Sequence, residues 1–312
     1  MPRRGKKSLV HAATLLPLAI GLASGPLSKL TTTAEPANAV RATAGAGPSC
    51  TLPFQSIATR HPIDGSCPAN GAAKLNTPQA AQNQAKNNFC ASGTPVNIDF
   101  DVLRQLQQDA ATKGISFGGD SQLPDDRSQL RNLPTKVGAL GEGAVVRLAA
   151  FVIDAHYSNV GKGESVNCKQ PDKESNDIHI VLGEKSNHDD ECSSVTAEMS
   201  PHFRPEVWDP NDLNQRNAHM YRFTGQLFFD ASHRPCSGGK GSPKRSSIWE
   251  VHPVYAVDIC ADPGNNCKVD SDDNWVSFAE QVGDVASETR LWLPDEISSK
   301  FGREAGGGPP SH

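Results

Sequence analysis

The sequence has no Cys-x-x-Cys pair, no phosphate-cradling loop, no dinucleotide fingerprint and no nucleophile elbow. Each absence removes a class. Without Cys-x-x-Cys spacing, a structural zinc cluster built on cysteines has no framework. The glycine-rich stretches at 138–143 and 238–241 lack the spacing that holds a nucleotide's phosphates. Gly-Lys-Gly-Glu-Ser at 161–165 is not Gly-x-Ser-x-Gly, so Ser165 lacks the strained turn of a hydrolase nucleophile. Positive charge is no larger than negative: 30 Lys and Arg stand against 35 Asp and Glu. A nucleic-acid binder carries a basic face, so no nucleic-acid partner is expected.

What is present is an ordinary globular balance over 312 residues, 37% of them hydrophobic. That length buries a core in one domain with additions. The N-terminus reads as a processing segment. Arg3, Arg4, Lys6 and Lys7 precede a mostly apolar run from Leu9 to Ala23, and Ala37-Asn38-Ala39 is a small-x-small cleavage site. Residues 1–39 are therefore expected to be a signal peptide, with no membrane span after cleavage and a secreted or periplasmic product. All eight cysteines, Cys50, Cys67, Cys90, Cys168, Cys192, Cys236, Cys260 and Cys267, lie beyond that site. An even count in an exported chain reads as disulfides. Loop length suggests Cys260–Cys267 and Cys50–Cys67 as local pairs, and Cys168–Cys192 as a tie between neighbouring strands.

Residues 40–75 read as a linker rich in Ala, Gly, Pro, Thr and Ser. Residues 76–140 read as a helical extension. Thr77 and Pro78 open a helix running to about Cys90. Phe100, Leu103, Leu106 and Ala110 recur at helical steps, with Asp99 or Asp101 as cap and Gly114 as stop. A third short helix is expected over Asp125 to Leu133. Residues 141–262 change to a strand pattern: AVVRLAAFVIDAHYS, NDIHIVLGE, SSVTAEMS, MYRFTGQLFFDASH and IWEVHPVYAVDIC. Two prolines and a helix starting near Asp209-Pro210 separate the third strand from the fourth. That order is an OB-type barrel: mainly β, five-stranded, with a helical N-terminal extension and short C-terminal helices. Gly225 inside strand four suits a bend or bulge. In strand five, Trp249, Val251, Tyr255, Val257 and Ile259 are expected on one face, with Glu250, His252 and Asp258 on the other. The aromatics Trp208, Phe228, Phe229, Trp249 and Tyr255 are expected in the core. Residues 263–312 form a C-terminal extension and flexible tail. Asp270, Asp272 and Asn274 imitate calcium-loop spacing, but Trp275 and Gln281 stand where that loop needs Gly and Glu. The acids there are expected to cap the helix WVSFAEQV.

Five segments in order, GKGESVNC, SNDIHIVL, TAEMSPHFR, RFTGQLFFDASH and WEVHPVYAVDIC, resemble an uncharacterised group of exported bacterial proteins. The shared motifs are Glu-Ser-x-Asn-Cys, Asp-x-His, Thr-Gly followed by Asp-x-x-His, and Trp-Glu-x-His-Pro. The resemblance runs from about Gly141 to Cys260. It implies the same barrel and no particular activity.

Acids and imidazoles recur along the strands. Asp177 with His179, and Glu250 with His252, share faces by the two-residue period of a strand. Asp177, His179, Glu198, Asp230 and His233 are the candidate ligands of a divalent metal, since carboxylate with imidazole suits zinc, manganese or iron. Glu250 and His252 are the candidate catalytic pair. Glu164, Ser165 and Asn167, on a glycine-flanked turn, and Arg245, on a basic loop, are candidate contacts for an unknown ligand. The same pairs also read as a structural network, because a carboxylate beside a half-buried histidine fixes its tautomer. The residues favour a binding or structural module over catalysis. The competing expectation is a metal-dependent hydrolase, possibly of phosphoesters. Solvent-reachable groups in a concave site would mark the enzyme; buried, mutually bonded ones would mark the network.

Overall fold

A computed structural model describes residue 63 and residues 66–283, apart from 90, 92, 187–189, 203 and 206. The expected signal peptide, most of the linker, Cys50, Cys90 and the tail lie outside the described residues. Thr77 caps α1 (Pro78–Lys86) by accepting a hydrogen bond from the Ala80 amide, with proline in the first turn. Next come β1 (Val96–Ile98) and α2 (Phe100–Thr112). The cap of α2 is Asp99, whose carboxylate accepts from the Val102 amide at 3.0 Å, and Gly114 follows at a φ of +69°. Phe100, Leu103, Leu106 and Ala110 are buried along one face of α2. Full burial of each large side chain contributes about 1.5–3 kcal/mol.

The extension is not purely helical. β1 pairs in parallel with the first barrel strand. The helix expected over 125–133 is a 3-10 turn, Arg127–Leu130, after which the chain enters a small hairpin of β2 (Leu133–Thr135) and β3 (Gly138–Leu140). The expectation failed because the apolar residues there, Leu130, Leu133 and Leu140, fill the core from a turn and two strand ends.

The five expected strands are β4 (Val145–Tyr157), β5 (Ile178–Gly183), β6 (Val195–Met199), β7 (Met220–Phe229) and β8 (Trp249–Cys260). Their pairing runs β4-β5-β6-β8-β7 and returns from β7 to β4, closing a mixed barrel of five strands. Only β6 and β8 run parallel within it. The short helix α3 (Pro210–Gln215), capped by Asp209, lies between β6 and β7. This is the OB order. β4 is long enough to serve two partners. Its first half pairs with β7 and its second half with β5, with a register shift between Val152 and Asp154.

Gly225 sits where the ladder between β7 and β8 shifts register on both sides. A Cβ there would lie 2.5 Å from the Pro253 carbonyl oxygen and 2.7 Å from Val251 Cγ1. Glycine is needed for close approach, not for an unusual φ. The same irregularity corrects one face assignment. Trp249, Val251, Val257 and Ile259 join the core as expected, but Val254 takes the core place expected of Tyr255. Tyr255 instead donates from its hydroxyl to the Asn88 carbonyl at 2.7 Å.

After β8, β9 (Trp275–Ser277) pairs back onto it, and residues 278–283 are helical. Asp272 does not cap that helix; it accepts from Arg222 at 2.9 Å. Among the described residues three disulfides form: Cys67–Cys168, Cys192–Cys236 and Cys260–Cys267. The last was expected. Cys67 pairs with Cys168 rather than Cys50, and Cys192 with Cys236 rather than Cys168, since the fold brings together segments that sequence separation keeps apart. Three disulfides fit an oxidising, non-cytoplasmic compartment. Among the described residues no helix is long and apolar enough to cross a membrane.

Candidate functional site

The polar residues gather on the outside of the barrel, across β5, β6 and β8. Alternation puts Ile178, Ile180, Val195, Ala197 and Val251 into the core and leaves His179, Thr196, Glu198, Glu250 and His252 on the opposite face. Register then sets neighbours side by side: His179 opposite Glu198, and Thr196 opposite Glu250.

In an open barrel this face would meet water. Here α1 lies over it. The helix PQAAQNQAK has almost no apolar surface to offer, and it docks through Gln82, Asn83 and Lys86 instead. Gln82 accepts from the Ala231 amide and donates to Ser232. Asn83 donates to the Ser165 hydroxyl at 3.0 Å. Lys86 places its ammonium 3.6 Å from Glu198. The Cys67–Cys168 bridge ties the segment before α1 to the turn that carries Glu164, Ser165 and Asn167. Gly71, at φ +56°, sits so close to this turn that a Cβ would lie 2.1 Å from the Ser165 carbonyl oxygen. The cover is fitted at backbone distance and then cross-linked.

Beneath it two subclusters can be told apart. In the first, Glu198 is central. One of its oxygens lies 3.1 Å from His179 Nε2 and the other 2.6 Å from His252 Nδ1. Glu164 approaches His179 Nε2 at 3.4 Å. Asp177, at the entry to β5, completes the group. One oxygen of Asp177, one of Glu198 and a ring nitrogen of His252 lie within 4.8 Å of one another, and Asp177 is similarly spaced with Glu164 and His179. In the second, Arg245 spans two carboxylates, donating to Glu250 at 2.7 Å and to Asp230 at 2.8 Å. His233 Nδ1 lies 2.5 Å from Asp230 and stays partly exposed.

Electrostatics follows from burial and crowding. Burial opposes charge on His252, but the Glu198 and Glu250 carboxylates outweigh it and raise its pKa to about 10. Burial likewise opposes charge on His179, and Glu198 and Glu164 raise its pKa to about 9. Asp177 goes the other way from an ordinary acid. Burial, reinforced by Glu164, lifts it to about 7. Burial pushes Glu198 and Asp230 up as well, yet the cations beside them, Lys86 among them, hold both well below the usual carboxylate range.

The expected site residues therefore divide. Asp177, His179, Glu198 and His252 are brought together, with Glu164 at the edge. Asp230 and His233 join Arg245 rather than the metal-spaced groups. Glu250 touches both subclusters, 3.4 Å from His252 and bound to Arg245. Arg245 is not an open loop contact: it is 1% exposed and engaged by acids on both sides. Ser165 accepts from Asn83, and Asn167 is fully buried. Accessibility decides the chemistry. Asp177, Glu198, Glu250 and His252 are 1%, 2%, 0% and 1% exposed, so a substrate cannot touch them while α1 is seated.

Three participants were missed from the sequence: Gln82, Asn83 and Lys86. Their signal in the sequence is spacing alone: Gln82 and Asn83 stand four and three residues before Lys86, on one helix face. Comparison with known protein families, curated proteins and solved structures finds no match to this chain.

Proposed function

We propose that the chain is an exported binding module that works outside the cytoplasm. In this reading the buried acid–imidazole face holds the helical cover on the barrel and does not turn over substrate. The observation that carries it is the closure of that face under α1. Export is supported by the basic and apolar N-terminus with its small-x-small site, together with the three disulfides. The likeness to the exported group with Trp-Glu-x-His-Pro and Asp-x-x-His motifs supports the same reading. The ligand surface is a cleft of about 750 Å3 between the start of α1 and residues 116–125, where Ser165, Lys169, Lys74 and Asp120 reach the lining. Its size suits a small polar ligand.

The second reading is a metal-dependent hydrolase, favoured by the spacing of Asp177, Glu198 and His252. It requires α1 to lift. The test is an assay of the disulfide-intact protein on phosphoester and carboxyester panels with added zinc or manganese. No turnover above a His252→Ala control is expected. Turnover that this substitution abolishes in a folded protein would replace the binding reading with the hydrolase.

A further inference from the structure

The carboxylate of Asp177 is 1% exposed, and neither of its oxygens has a hydrogen-bond partner. Nε2 of His252, equally buried, has none either. Buried polar atoms are nearly always satisfied, and an unsatisfied one marks a missing partner. An orphaned carboxylate costs far more than an orphaned hydroxyl, since taking an ion out of water without compensation is expensive. Here two orphans belong to one group: Asp177, Glu198 and His252 each bring a donor atom within 4.8 Å of the others.

Charge points the same way. Glu164, Asp177, Glu198, Asp230 and Glu250 crowd one covered face. The permanent cations beneath the cover are Lys86 and Arg245. Both have acids of their own, Lys86 beside Glu198 and Arg245 between Asp230 and Glu250. Neither comes within ion-pair distance of Asp177. Once His252 is neutral, as ligation requires, the acids outnumber the cations around the unpartnered oxygens.

We propose that Asp177, Glu198 and His252 hold a divalent transition-metal ion of the zinc class, as a structural clip across three segments of the barrel wall beneath its cover. Two carboxylates and one imidazole are a borderline donor set that suits zinc or manganese, and the imidazole disfavours calcium. Three protein ligands leave further positions that water can fill. Glu164 and His179, less deeply buried and spaced with Asp177 in the same way, form the entry path. Asp177 precedes β5, Glu198 lies on β6 and His252 on β8, so the ion bridges three segments. Its loss leaves Asp177 without a partner beneath the face on which α1 rests.

The experiment uses the full disulfide-bonded protein, stripped with chelator and then titrated with zinc, manganese and calcium ions in separate runs, with metal content read by mass spectrometry. The expected result is one zinc ion per chain, bound in preference to calcium. Affinity should fall about 100-fold or more in Asp177→Asn and His252→Gln and stay unchanged in His233→Gln; even second-shell partners are worth about 10–100-fold. Because a ligand variant can misfold, X-ray absorption of the zinc-loaded wild type gives an independent reading: nitrogen and oxygen neighbours at about 2.0–2.2 Å with an imidazole signature and no sulfur. No stoichiometric uptake, uptake that survives Asp177→Asn, or a shell without imidazole would each overturn the site. A bound ion without turnover leaves the binding-module reading intact. Turnover that needs the ion removes that reading while keeping the site.

Discussion

At Lys86 one ammonium, carried on a helix, meets a carboxylate that two histidines also claim. Removing it by Lys86→Met leaves Glu198 with less compensation and strips α1 of its only ionic anchor to that face. Breaking one partner out of a buried pair costs about 3–5 kcal/mol. The expected outcome is a destabilisation of that order in urea titration, together with faster tryptic cleavage near Lys74. An unchanged midpoint would mean that the side-chain amides of Gln82 and Asn83 hold the helix alone. The titratable residues predict a direction with pH as well. His252 and His179 have raised pKa values, about 10 and about 9, so their stabilisation is complete below the unfolded value near 6.5 and is lost as pH rises through the folded values. Asp177, raised to about 7, stabilises below an unfolded value near 4 and loses that contribution on the way up to 7. Glu198 and Asp230 are depressed, so theirs is lost as pH falls below about 4. Metal-free protein should melt highest in mildly acidic buffer and lower steadily from pH 6 to 10. A flat profile over that range, or one unaltered in His252→Gln, would contradict the assignment.

Elements show how much of this was legible beforehand. The five barrel strands and α1 to α3 could be read from period, caps and breakers because each of those signals is local. Asp99 and Thr77 cap their own helices, and Asp209 with Pro210 opens α3. The polar face could be read too, since alternation alone separates His179 from Ile178 and Ile180. What escaped was pairing at a distance. A regular strand places Tyr255 on the core face. The strand is irregular opposite Gly225, and that irregularity exists only against its neighbour. Gly225→Val tests this element directly. The added side chain meets Pro253 and Val251 well inside contact distance, and overpacking typically costs about 1–3 kcal/mol. A lower melting temperature with the strand signature preserved in circular dichroism is expected. A melting temperature equal to wild type would remove the close-approach argument.

For the whole molecule the question is what keeps cover and barrel together. The Cys67–Cys168 bridge spans 101 residues of sequence. A bridge closing a loop of that size constrains the unfolded chain by about 4.7 kcal/mol in the chain-entropy model. Cys260–Cys267 spans 7 and constrains far less. The double variant Cys67→Ala with Cys168→Ala should therefore lose about 2–5 kcal/mol and become sensitive to protease around α1 before the barrel unfolds. Equal losses from removing Cys260–Cys267 would show that loop closure is not the operative term.

The sequence by itself determined the five barrel strands, α1 to α3, the OB order and the set of acids and imidazoles on the outer face. These depend on near neighbours along the chain, through caps, two-residue alternation and turn chemistry. Only the tertiary structure decided which cysteines meet, that Arg245 lies between Asp230 and Glu250, and that a helix of glutamine, asparagine and lysine closes the face. The physical reason is that charge compensation is a property of the space around a group. Glu198 reads as a surface acid along its strand; only Lys86, His179 and His252, arriving from three other segments, make it a buried one.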